Sequence, residues 1–219
     1  MPDRHFRPMP AGRDQAYDWG VLAVMRSFWS EPRVPDPPRR VWRDWALVAV
    51  LVTLCVVEVV VREDLPYRWL SFAAALVGAP LLLWRRTHPL AVVCGVFGAA
   101  IVMDIPWVVS GGEAPGLFTM AYVLIPAYAL FRWGSGREAL IGLGVMLVPA
   151  TLSLVLDFTS LSEAVTGFAI FLLALALGVA VRSRTRERMS RVDAARANER
   201  EALARDLHDT VAHHVSAIA

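Results

Sequence analysis

Six predominantly apolar blocks of 15 to 21 residues fill most of the chain between positions 45 and 181: Trp45–Val61, Tyr67–Trp84, Pro89–Val109, Leu117–Phe131, Ala139–Leu156 and Ala164–Val181. A helix needs about 20 such residues to cross the ~30 Å of bilayer hydrocarbon, so the blocks have the length of membrane spans and are longer than most buried core segments. The chain has 219 residues and is 56% hydrophobic, above the ~45–50% of soluble domains. The excess lies in the blocks, which excludes a soluble enzyme. The expected fold class is an all-α membrane protein with about six transmembrane helices, the fourth block being the shortest. Cys55 and Cys94 both lie inside blocks, so neither a disulfide framework nor a four-cysteine metal site can be built. All 22 basic residues are arginine. That excludes a phosphate-loop lysine and a Schiff-base lysine.

Charge orients the blocks. With six crossings, 20 of the 22 arginines fall on one face, leaving Arg62 and Arg68 for the other. Basic loops stay inside, so both termini are expected in the cytoplasm and the chain in the cell membrane. Six of the eight tryptophans, Trp42, Trp45, Trp69, Trp84, Trp107 and Trp133, sit near block ends, where an indole can lie between headgroups and acyl chains. Residues 1–43 form an arm rich in proline and arginine, expected to be irregular. Trp19, Leu22, Met25, Phe28 and Trp29 nevertheless recur at helical spacing, as in a short helix lying on the inner leaflet.

The outer loops, near Arg62–Pro66, Ser110–Gly116 and Asp157–Glu163, are too short to fold into a ligand-binding domain. Any external stimulus is therefore read in the membrane or at its surface. Glu58, Asp104 and Asp157 are acids within spans or at their ends, a costly placement that points to function. Glu58 and Asp157 are close enough to block ends to reach water. Asp104 is deeper and is the candidate for intramembrane sensing. Ala91, Gly95 and Ala99 make a small-residue stripe suited to close helix contact, within the bundle or between copies.

From Val179 to Ala219 there is neither glycine nor proline, and Glu187/Arg191 and Glu201/Arg205 place the acid one turn before the base. The sixth span is therefore expected to continue as one rod, with residues 182–198 a helical linker between the membrane domain (residues 44–181) and the last segment (residues 199–219). In that segment Leu203, Leu207, Val211, Val215 and Ile218 fall in one sector of a helical wheel. A lone helix cannot bury this stripe, and a homodimeric four-helix bundle would. His208 lies on the shoulder of the stripe, with Asp209 beside it. His208, His213 and His214 lack the three- or four-residue spacing of metal ligands on one helical face, and Asp209 with His213 is the one pair that has it. No metal site is expected. A better fit is phosphoryl acceptance: imidazole can attack phosphorus through one nitrogen while a carboxylate accepts a hydrogen bond from the other.

The run Glu-Arg-x-x-Leu-Ala-Arg-Asp-Leu-His-Asp-x-Val-Ala-His, from Glu199 to His213, resembles the phosphoacceptor helix of NarX/DesK-type bacterial sensor histidine kinases, a class frequent in actinobacteria. The resemblance implies that His208 is autophosphorylated, that Asp209 is the adjacent general base, and that His213 assists hydrolysis of a response regulator's phospho-aspartate. It also implies that the helix begins a dimeric four-helix phosphoacceptor bundle. The implied partners are a second copy of the chain, a response regulator and membrane lipids, with no nucleic acid. ATP and Mg²⁺ would be bound by a catalytic domain, because this sequence contains neither an asparagine nucleotide box nor a glycine-rich lid. The chain is thus expected to be the sensor and acceptor portion of a kinase, inactive without that domain. Two alternatives stand beside it: a six-span transporter or channel subunit with Asp104 as coupling residue, and a non-catalytic membrane adaptor.

Overall fold

A computed structural model describes residues 26–38, 40–63, 65–110, 117–156 and 160–218, with only the backbone described at 107, 110, 156, 206 and 208–218. Among the described residues every regular element is helical: α1 (Trp42–Val61), α2 (Arg68–Leu81) running into a 3₁₀ turn (Leu82–Trp84), α3 (Pro89–Ser110), a 3₁₀ segment (Phe118–Val123) leading into α4 (Leu124–Trp133), α5 (Gly136–Leu156) and α6 (Leu161–Ile218).

Among the described residues, four helices carry stretches long and apolar enough to cross a membrane, at Trp42–Val61, Pro89–Pro106, Gly136–Val155 and within Leu161–Arg205. The second and fourth blocks are shorter. Arg68–Trp84 falls below that length, and Pro80 stands where the helix tightens into its 3₁₀ turn. The fourth combines six 3₁₀ residues with ten α-helical ones. At ~2.0 and ~1.5 Å per residue it rises roughly 27 Å, near the hydrocarbon thickness despite its few residues.

Contacts at the helix ends show that successive helical segments run antiparallel. Asp44, near the start of α1, bonds Arg85 and Arg86 of the α2–α3 loop, and Arg182 of α6 bonds Gly134 at the end of α4. At the opposite end, Glu58 of α1 bonds Phe118 and Thr119, and the Tyr67 hydroxyl donates to Pro106 O at 3.3 Å. The first end collects the arginine-rich segments, as the charge pattern predicts.

The core follows from helical periodicity. On α3, Pro89, Val92, Val93, Val96 and Phe97 are buried at three- and four-residue intervals and meet Leu82, Leu130 and Met146, each wholly enclosed. The outer surface is also apolar: Val60, Val77, Val102, Ile105, Val155, Val165, Phe168 and Leu173 are all exposed. So broad an apolar exterior is what a lipid solvent permits and water does not. Gly95, in the small-residue stripe, faces α2, where an added Cβ would stand 2.7 Å from Leu81 Cδ1. The stripe therefore serves contact within the bundle at that position.

Candidate functional site

The segment that resembles a phosphoacceptor helix lies at the end of a single 58-residue helix. Its base is held tightly. Among the described residues of α6, Leu175, Gly178 and Arg182 are the buried ones, one helical face toward α4. A Cβ on Gly178 would lie 2.7 Å from the Tyr128 carbonyl oxygen and 3.0 Å from Phe131 Cβ, so glycine sets how closely α6 approaches α4. Beyond Arg182 the helix leaves the bundle: residues 183–205 and Leu207 are all exposed. From Arg182 to Ile218 it rises roughly 54 Å at ~1.5 Å per residue.

Along this rod the expected i,i+4 pairs are present. Arg205 bonds Glu201, and Arg191 lies 3.9 Å from Glu187. Such exposed pairs contribute little to stability, but they favour continuation of the helix. Leu203 and Leu207 are 57% and 65% exposed. The first two members of the apolar stripe are therefore left uncovered by the described residues. His208, Asp209 and His213 lie on the helical backbone of the last turns, with side chains outside the described residues.

Arg182 is the residue that sequence reasoning passed over. Only 7% exposed, it donates to the carbonyl of Gly134, which ends α4, and through Nη2 to Pro32 O at 2.7 Å. A guanidinium there satisfies a helix-end carbonyl and meets the negative end of the helix dipole. One signal was available in the sequence: Arg182 is the first charge after an apolar block and stands four residues beyond Gly178.

Asp104 lies in α3, partly buried, with no hydrogen-bond or ion-pair partner among the described residues. Glu58 behaves differently from a side chain reaching outward to water. Its carboxylate accepts the N–H groups of Phe118 (2.5 Å) and Thr119 (2.8 Å), the Thr119 hydroxyl (2.5 Å) and Arg62 Nη1 (3.1 Å). It thus caps the first turn of the 3₁₀ segment, whose leading N–H groups have no partner of their own. Asp157 lies outside the described residues.

Four carboxylates at the ends of the bundle are engaged by arginine: Asp44 by Arg85 and Arg86, Glu58 by Arg62, Glu138 by Arg33, and Glu31 by Arg182 and Arg186. Neutralised in this way, they do not suit Mg²⁺ and its nucleotide. Among the described residues no three His, Cys, Asp or Glu form a metal-binding group.

The histidine kinase family model HisKA_3 matches residues 199–219, the stretch that contains His208, Asp209 and His213. The match supports a histidine kinase phosphoacceptor function and two-component signalling for this segment. Searches of curated proteins and of solved structures gave no match.

Proposed function

We propose that this chain is the sensor and phosphoacceptor portion of a membrane histidine kinase. The supporting observation is that residues 199–218 of the matched segment form the end of a helix that begins inside an apolar bundle and runs without a break. All six passes cross the cell membrane, the two shorter ones included, with both termini in the cytoplasm. The chain dimerises through the stripe that begins at Leu203 and Leu207. His208 takes a phosphoryl group on one ring nitrogen while Asp209 holds the proton of the other. The group is donated by a nucleotide held on a separate catalytic domain, and it leaves for an aspartate of a response regulator. His213 orients the water that later hydrolyses that phospho-aspartate. Asp104, partly buried and without a partner among the described residues, is the intramembrane residue through which a stimulus acts.

The decisive experiment adds a catalytic ATP-binding domain of the same class to the full chain in lipid and looks for acid-labile radiolabel. Label is expected on the chain and is lost in His208→Gln. Label that persists in that variant overturns the assignment.

A further inference from the structure

The proline-rich arm reads as an irregular tail, yet the segment just before α1 makes specific long-range contacts. Arg26–Trp29 is helical, and the described residues between it and α1 have no regular structure. The Glu31 carboxylate lies between two cations of α6. It is bonded to Arg186, and Arg182 Nε stands 3.1 Å away. The Glu31 carbonyl meanwhile accepts the N–H of Gly136 at 3.0 Å, the first residue of α5. One residue thus engages the base of α6 through its side chain and caps α5 through its backbone.

Its neighbours tie further elements. Pro32 O accepts from Arg182, which also holds the end of α4. Arg33 Nε donates to Glu138 Oε2 at 3.1 Å, and Arg33 Nη1 to the Thr87 carbonyl at 3.0 Å. Glu138 is itself paired with Ser135 at the start of α5, where Ser135 N–H donates to the carboxylate at 2.8 Å and Glu138 N–H to the hydroxyl at 3.3 Å. The fit is close: a Cβ on Gly136 would collide with the Phe28 carbonyl oxygen at 1.6 Å. The Arg137 guanidinium lies 5.8 Å from the Trp29 ring. Six residues, Phe28 to Arg33, therefore join the ends of α4 and α5, the α2–α3 loop and the point where α6 leaves the bundle.

We propose that Phe28–Arg33 is an ionic clasp that fixes the seat of α6, with Glu31 the positioning residue, and that opening it frees the rod from the bundle. The bridge has one carboxylate for two arginines. Removing that charge leaves Arg182, the buried cation, without its counter-ion while Arg186 turns to water. The clasp itself stands on contacts within this chain. Only its role in signalling to His208 rests on the proposed function.

The test uses the full chain in lipid nanodiscs and needs no phosphoryl transfer, so it succeeds or fails independently of the kinase reading. Hydrogen exchange is followed in peptides covering 26–38 and 134–140. Glu31→Gln is expected to raise exchange in both about tenfold, whereas Glu187→Gln, which removes an exposed pair farther along the rod, changes neither. Raising NaCl from 0.1 to 1 M shortens the screening length from ~10 to ~3 Å. It should speed exchange in the same two peptides and leave the core peptide 90–98 unchanged. In a Cys55→Ala, Cys94→Ala background, Glu31→Cys with Arg186→Cys should form an intrachain link with a short thiol reagent and restore protection at 134–140. Exchange that is indifferent to both Glu31→Gln and salt, or links that form only between chains, would overturn the clasp.

Discussion

The Asp44 carboxylate accepts Arg85 Nη2 at 2.6 Å across 41 residues of sequence, and the same oxygen receives Arg86 Nη2 at 2.8 Å. Its other oxygen accepts the N–H of Val41 at 3.0 Å, capping α1. Asp44 is 2% exposed, so it faces its partners and not water. Removing one member of a buried pair costs about 3 kcal/mol or more, because the remaining charge stays desolvated. Asp44→Asn should lower unfolding stability in micelles by that order. Arg86→Gln, which leaves Arg85 in place, should cost much less. Equal losses in the two variants would mean that the carboxylate is not the centre of the cluster.

Gly178 and Gly167 lie on the same helix in opposite circumstances. A Cβ at 178 meets the Tyr128 carbonyl, while one at 167 meets nothing within 4 Å. Gly178→Val is expected to cost roughly 1–3 kcal/mol through overpacking, and Gly167→Ala to be neutral or slightly stabilising. Paired thermal unfolding curves give the comparison.

Glu58 supplies acceptors for three donors of the 3₁₀ segment and a counter-ion for Arg62. Glu58→Ala should increase amide exchange in 117–123 by at least about tenfold. Glu58→Gln, which keeps one acceptor oxygen, should have a smaller effect. No difference between the two would show that the segment holds itself.

Six crossings make a labelling pattern that four do not. Single cysteines at Thr87, Ser135 and Ser183 should react with membrane-impermeant thiol reagents only after the cell is opened, and one at Ser162 should react in intact cells. Reaction of the Ser135 site in intact cells would show that α4 turns back inside the membrane.

For the acceptor turn, Asp209→Asn should slow labelling of His208 by a factor on the order of 10² while leaving dimerisation intact, which is the contribution expected of a positioned general base. Asp104→Asn should shift the resting level of that label. An unchanged level would remove Asp104 from sensing.

Much of this architecture could be read from sequence because a lipid-facing helix must satisfy its backbone internally and be apolar throughout. Pro89 opens both the third block and α3, and Val61 closes both the first block and α1. The arginine count anticipated which helix ends would meet. Hidden were the bonds that fasten those ends. Arg182 and Pro32 are 150 residues apart and Glu58 and Thr119 are 61 apart, and local pattern carries no information about pairing at such distances. The 3₁₀ stretch was hidden as well, since its composition is that of an apolar α-helix. The acceptor segment stood out for the opposite reason: all of its specificity lies in fifteen consecutive residues.

Beyond Arg186, which bonds Glu31, every described side chain of the rod is exposed, so its base at Arg182 acts as a fulcrum. His208 stands 26 residues along the helix, roughly 39 Å away at ~1.5 Å per residue. A tilt of about 5° at the fulcrum would swing the acceptor turn sideways by roughly 3 Å, more than a hydrogen bond tolerates. On the proposed function, the geometry of a stiff lever thus allows displacements too slight to disturb the apolar bundle to decide whether an incoming phosphate finds its nitrogen.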